Sequence, residues 1–143
     1  MSYMSDKIFL DTNIIVYAFD KEDARKNITA KELLDNFYTE NDYLISTQVM
    51  QEFCNVAYNK MKPALTGDEI KNFVSSFSED KIYIIEKETI KKAIYIKEKF
   101  RYSFWDSLII ASALLSSCNK LYSEDMTDGQ IIENLTIMNP IKF

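Results

Sequence analysis

Short apolar runs alternate along this chain with longer segments whose apolar residues recur at helical spacing, and that alternation restricts the fold more than any other feature. Lys7-Ile8-Phe9-Leu10, Tyr43-Leu44-Ile45-Ser46, Tyr83-Ile84-Ile85, Lys120-Leu121-Tyr122-Ser123 and Leu135-Thr136-Ile137-Met138 have the length and apolarity of strands. Between them, Ala30, Leu33, Leu34 and Phe37 mark a helix from about Glu22 to Tyr38. Val49, Phe53, Val56 and Ala57 mark another from Thr47 to about Met61. Thr66-Gly67-Asp68-Glu69 has the form of a capping box and opens a helix carrying Ile70, Phe73, Val74 and Phe77. Thr89 to Arg101 reads as a basic amphipathic helix. Ser103-Phe104-Trp105-Asp106 then opens Leu108 to Leu115, apolar almost all round and expected to be a central buried helix. Asp128-Gly129 is a turn signal, and Asn139-Pro140 stops the last strand. Strands alternating with helices imply a mostly parallel sheet covered on both faces.

The 143 residues suit one domain, placed here at 1–143, with no internal repeat or linker. Histidine is absent, which removes imidazole chemistry: no Ser-His-Asp triad, no Cys-His pair, no zinc site of the His type. An excess of 22 Asp and Glu over 17 Lys and Arg argues against a nucleic-acid glove over the whole surface, while leaving room for a local patch. Cys54 and Cys118 lie in apolar stretches with no C-x-x-C spacing, so they are expected to be reduced and buried, in a cytoplasmic protein. No apolar stretch approaches the ~20 residues of a membrane span, and the N-terminus lacks a leader's apolar core, so no membrane partner is expected.

In an open parallel sheet, ligands bind outside the carboxyl ends of the strands. Asp11 closes the first strand, and Asp125 follows the fourth. Glu52 borders an apolar helical face, and Asp106 opens the most hydrophobic helix directly after Phe104-Trp105. Carboxylates that converge there raise one another's pKa unless a cation offsets their charge. With no His and no paired Cys, the donors are all oxygen, which selects Mg2+ or Mn2+. Such a crevice points to metal-assisted phosphodiester hydrolysis. Each acid also has a plainer role. Asp11 suits an N-cap, Asp106 the fourth residue of a Ser103-x-x-Asp106 capping box, Glu52 a solvated flank and Asp125 loop chemistry. Their joint placement at element junctions is what favours a site.

Four stretches occur in order: Ile8-Phe9-Leu10-Asp11-Thr12-Asn13; Ser46-Thr47-Gln48-Val49-Met50-Gln51-Glu52-Phe53; Phe104-Trp105-Asp106-Ser107-Leu108-Ile109; and Leu121-Tyr122-Ser123-Glu124-Asp125-Met126 with Gly129. Together they resemble the PIN-domain nucleases, and within them the VapC-like ribonuclease toxins of type II toxin–antitoxin modules, over essentially the whole chain. The resemblance implies a three-layer α/β/α sandwich with a mostly parallel central sheet, and endonucleolytic cleavage of RNA dependent on Mg2+ or Mn2+. It implies Asp11 and Asp106 as principal metal ligands, Glu52 as the motif glutamate and Asp125 as the fourth acid. Thr12, Asn13 and Ser123 match the small polar residues that hydrogen-bond this cluster, and Asp128 stands near Asp125 as a substitute or outer acid. The partners it implies are an RNA substrate, a cognate antitoxin protein and a second copy in a homodimer, with apolar residues between Glu22 and Phe77 as candidates for that surface.

For RNA, the basic run from Lys87 to Arg101 offers Lys99 and Arg101 as phosphate contacts leading into Trp105-Asp106. The alternative is a solvated helix face interleaved with Glu88 and Glu98. Two rival functions stay open at this point. One is a PIN nuclease of RNA maturation or decay, or one acting on DNA; the other is a non-catalytic module whose acidic pocket accepts a partner's Arg or Lys.

Overall fold

The computed structural model describes residues 5–40 and 42–141. Among them the elements run β1 (Ile8–Leu10), α1 (Thr12–Phe19), α2 (Ala24–Thr39), β2 (Tyr43–Ser46), α3 (Thr47–Asn59), α4 (Gly67–Ser75), β3 (Ile82–Tyr83), α5 (Lys87–Phe100), α6 (Phe104–Leu115), β4 (Lys120–Tyr122), β5 (Ile131–Ile132) and β6 (Leu135–Met138). The strands order as β3-β2-β1-β4-β6-β5 in one sheet. All neighbours pair parallel except β5 and β6.

Strand order decides where the helices go. Steps from β1 to β2 to β3 move outward in one direction, and the step from β3 to β4 returns past β1. Parallel crossovers are right-handed, so α1–α4 and α5–α6 fall on opposite faces. Their packing agrees: α1 lies on α2 and α3, α3 on α4, and α5 along α6. β1 and β2 are buried at every residue, which requires cover on both faces because successive side chains point opposite ways. The result is the expected α/β/α sandwich. Connections leave β1 and β4 in opposite directions, so the crevice beyond their carboxyl ends is the switch point of the sheet.

Amphipathic spacing builds the core. Val49, Phe53 and Ala57 project from one face of α3 and are fully buried. The Phe53 ring meets Phe73 of α4 at 4.1 Å between centroids and Phe19 at 5.1 Å. On the other face α6 is buried from Ser107 through Ala113, as its all-round apolarity predicts. There Leu108 and Ala111 pack on Ala93 of α5.

Some boundaries differ from the sequence reading, each for a local reason. β3 ends at Tyr83 instead of spanning Tyr83–Ile85: Ile84 turns to solvent, and the Ile85 N–H donates to Thr47 Oγ1 at 3.3 Å. α5 begins at Lys87 because the Thr89 hydroxyl oxygen accepts from the Glu86 N–H at 3.1 Å, closing the first turn early. α2 begins after Asp23, whose carboxylate accepts from the Lys26 N–H. β4 stops at Tyr122, one residue before Ser123, whose N–H still donates to the Met138 carbonyl of β6 at 3.0 Å. β5 was not foreseen; two residues are too few to display a period. Cys118 is buried and Cys54 only partly so, and both are free thiols. Among the described residues no helix is long and apolar enough to cross a membrane. Between Glu22 and Phe77, Ile28, Tyr38 and Tyr58 expose large apolar surface, and Ile90 and Ile94 form a second exposed pair on α5.

Candidate active site

Register brings the first two site residues together. Phe9 and Leu10 pair with Leu121 and Tyr122, so the residues that follow, Asp11 and Ser123, emerge side by side at the switch point. The Asp11 N–H donates to the Tyr122 carbonyl at 3.0 Å. Its carboxylate then turns back over α1, accepting from the Thr12 N–H at 2.7 Å and from the Ser123 hydroxyl at 2.8 Å. Asp11 is therefore both the N-cap of α1 and a buried acid, only 5% exposed.

Asn13 and Ser123 carry this arrangement to Asp125. The Asn13 side-chain amide donates to Asp125 Oδ2 at 3.0 Å and to Asp11 Oδ2 at 3.4 Å, while its oxygen accepts from the Glu124 N–H. Ser123 Oγ accepts from the Asp125 N–H at 3.2 Å. Replacing Asn13 with Ala is expected to lower divalent-cation affinity about tenfold or more while leaving the fold intact, as removal of an orienting partner does. Calorimetric titration with Mn2+ measures this, and an unchanged affinity would count against Asp125 as a ligand.

The other two acids arrive on helices. Ser46 ends β2 and caps α3, its Oγ accepting from the Val49 N–H, which sets Glu52 in the second turn. The Thr12 hydroxyl donates to Glu52 Oε1 at 3.4 Å. Asp106 lies in the first turn of α6, where its N–H donates to Ser103 Oγ at 3.1 Å. The Gln48 side-chain amide donates to the Trp105 carbonyl at 3.1 Å and so ties the start of α6 to α3.

Burial and mutual repulsion act on these carboxyls together. Burial, with added repulsion from Asp106 and Glu52, pushes Asp11 up to about 7, against the opposing bonds from Ser123 and Thr12. Glu52 is raised by burial and by Asp106, against bonds from Gln48 and Thr12. Asp106 is raised by burial and by Asp125. The four acids thus form one electrostatically linked group. Among the described residues no ion pair reaches it, the lysines pairing instead with Glu124, Glu88, Glu133 and Asp6. Uncompensated carboxylates in a crevice mark a site that favours a cation.

The donors fit a hard ion. They are all oxygen, and among the described residues no three acids already close into a cage. Mg2+ does not require one, since it typically takes one or two carboxylates and fills its octahedron with waters and phosphate oxygens.

The remaining predicted residues make local contacts of their own. Asp128 Oδ1 accepts from the Asn139 N–H at 2.9 Å, which ties this acid to the end of β6. Lys99 bonds the Tyr95 hydroxyl on its own helix at 3.1 Å, and Arg101 ends α5 in the left-handed region at φ 66°. Three further positions shape the site and escaped the sequence reading. The Tyr17 hydroxyl donates to Glu124 at 2.6 Å and Lys26 pairs with Glu124 at 2.8 Å, clamping the loop that carries Asp125. Tyr102 accepts from the Thr127 N–H and donates to Gln130 on the same loop. Only Tyr17 left a trace in sequence, lying four residues after Asn13 on one face of α1.

Two grooves flank the acids. One, of about 420 Å³, runs along α3 past Glu52 to Trp105. The other, of about 530 Å³, is lined by Thr12, Asn13, Tyr17 and Asp125. They meet at Val56 and Lys60, which line both.

A mostly parallel sheet with helices on both faces and an acidic, cation-favouring crevice at its switch point defines the class to which this protein belongs. Residues 8–127 match the PIN domain family, and the chain belongs to that family. No curated protein matches the sequence. Among solved structures, the chain is similar to one in a toxin–antitoxin complex from Klebsiella pneumoniae, with 20% identity and a TM-score of 0.69, covering 93% of this chain and 97% of that one. It is similar to VapC20 of Mycobacterium tuberculosis, a sarcin-ricin loop cleaving toxin, with 19% identity and a TM-score of 0.64, covering 82% and 89%. A chain of VapBC2 from Rickettsia felis, solved bound to a fragment of its promoter DNA, matches with 19% identity and a TM-score of 0.65, covering 92% and 97%.

Proposed function

We propose that the protein is a divalent-cation-dependent endoribonuclease and the toxin of a toxin–antitoxin pair. The observation that carries this reading is the buried Asp11 carboxyl at the switch point, raised to about 7 and linked to three further acids with no ion pair to a lysine or arginine among the described residues. Asp11, Asp106 and Asp125 would hold Mg2+ or Mn2+. Bound there, the ion supplies charge neutralisation for the phosphate and acidity for a nucleophilic water. Ser123 and the Thr12 N–H hold the Asp11 carboxylate in one orientation. Glu52, more basic than an ordinary glutamate and held by Thr12, would complete the shell or accept the proton of the attacking water.

RNA as substrate is supported by the likeness to a toxin that cleaves the sarcin-ricin loop. An antitoxin partner is supported by the likeness to chains solved in toxin–antitoxin assemblies. The charge of the crevice suits such a partner, since an Arg or Lys offered by an antitoxin would meet the same carboxylates. The test is RNA cleavage by the purified chain with Mg2+ or Mn2+ and with EDTA. Asp106→Asn should stay folded and lose on the order of 10²–10³-fold in rate, the scale of removing one transition-state contact. Cleavage by the variant at the parent rate, or undiminished in EDTA, would overturn the reading. Growth arrest on expression, relieved by the product of a small adjacent gene, tests the toxin assignment separately.

A further inference from the structure

Trp105 is the only tryptophan of the chain and is 63% exposed, in the first turn of α6 directly before Asp106. Its one ring neighbour among the described residues is Phe104, edge-on at 5.3 Å. Its backbone is nonetheless held, through the bond from Gln48 to its carbonyl. Apart from that edge contact the ring faces water on a backbone that is held in place, so its face is open to a ligand.

Several polar side chains line the groove beside it. Gln48, Gln51, Glu52 and Asn55 are spaced i, i+3, i+4 and i+7, which puts them on one face of α3 along the groove. Gln48 is only 4% exposed, and its amide oxygen has no hydrogen-bond partner among the described residues. Lys60 stands where this groove meets the one that holds Asp125. A flat aromatic, amide donors and acceptors, and a cation along one path are the elements of single-stranded nucleic-acid recognition: a stacking platform, groups for base edges and a phosphate contact.

We propose that the α3 groove is a base subsite for single-stranded RNA. One unpaired base next to the scissile phosphate stacks on Trp105, its edge meets the amides of Gln51 and Asn55, and Lys60 contacts a flanking phosphate. This inference rests on the ribonuclease reading and adds the part of the substrate that the acids do not recognise.

Because Trp105 is the sole tryptophan, its emission reports on this groove alone. The full chain is titrated in EDTA with a short unstructured oligoribonucleotide carrying a fluorescent end label. Saturable quenching of Trp105 emission is expected, in step with the anisotropy of the label. Trp105→Ala should weaken binding about tenfold and Trp105→Phe should recover most of it, as base stacking predicts. Lys60→Gln should reduce the slope of log affinity against log salt by about 0.7. Circular dichroism confirms that each variant is folded. If the parent cleaves RNA while Trp105→Ala binds and cleaves as the parent does, the subsite is overturned and the nuclease reading stands. If the oligonucleotide binds with quenching but no cation supports cleavage, the subsite stands and the nuclease reading falls. No binding and no cleavage overturns both.

Discussion

Asp11→Asn is expected to abolish cation-dependent RNA cleavage and, in cation-free buffer at pH 8, to raise thermal stability. The two effects have one cause. Asp11 is buried at the end of β1 and feels Asp106 and Glu52, so its carboxyl titrates near 7 in the folded chain against an ordinary 3.8. Between those values the native state holds a proton that the unfolded chain has lost. Stability contributed by this group is therefore full below about pH 4 and falls as pH rises through 7. At pH 8 the folded protein carries nearly the whole penalty, and the neutral amide removes it.

A tenfold difference in proton affinity between the folded and unfolded chain corresponds to about 1.4 kcal/mol, and solvation retained at the site reduces the total. A gain on the order of 2 kcal/mol and a melting point about 5 °C higher are therefore expected. Added Mg2+ should reverse the ranking, raising the melting point of the parent by linkage while leaving the variant unmoved. Scanning calorimetry of both proteins at pH 5 and pH 8, with and without Mg2+, reads all four conditions. A variant less stable than the parent at pH 8 without cation would show that Asp11 is held by its hydrogen bonds more strongly than burial opposes it.

Phe53→Ala is expected to be the most damaging single truncation near the site. Phe53 is fully buried, meets Phe73 at 4.1 Å and Phe19 at 5.1 Å, and so joins α3 to α4 and to the end of α1. Removing a buried aromatic ring costs about 3–5 kcal/mol in lost burial and cavity formation. Domains of this size are stable by about 5–15 kcal/mol in total, so the variant should unfold at a much lower urea concentration with an unchanged slope. Glu52 precedes Phe53 on the same helix, so the cation affinity of the folded fraction should fall as well. A loss below about 1 kcal/mol would mean that α3 and α4 collapse to fill the space.

The elements nearest the site were largely legible in sequence, for identifiable reasons. β1 and β2 are short unbroken apolar runs, which read as strands buried on both faces, and they are. α3 and α6 show their burial directly, one through a helical stripe and the other through apolarity all round. The capping box at Thr66 and Glu69 is present with both of its bonds, because it depends on four consecutive residues. Ser103-x-x-Asp106 shows how far such local patterns reach. The serine does cap α6, and the acid one turn in is drawn into an electrostatic group whose other members lie at the N-cap of α1, on α3 and in the loop after β4.

Residues whose roles come from contacts across the chain had no such signal. Gln48 looked like part of a motif, yet its function is a bond to the backbone of Trp105, 57 positions away. Tyr102 anchors the loop after β4 across 25 positions, and Lys26 reaches Glu124 from α2. Lys99 and Arg101 fit a phosphate-contacting run by charge, while the bond from Lys99 to Tyr95 and the place of Lys60 in both grooves are visible only in the structure.

By itself, then, the sequence determined the class of fold, the absence of imidazole chemistry and the identity of the acids at the strand ends, because periodicity, composition and junction position are local properties of a chain. Only the tertiary structure decided which acids share one field, that Asn13 and Ser123 carry the geometry from Asp11 to Asp125, and that Trp105 faces an open groove. Repulsion, burial and hydrogen bonding depend on distances between segments, and those distances follow from β1 and β4 lying side by side in register at the switch of the sheet.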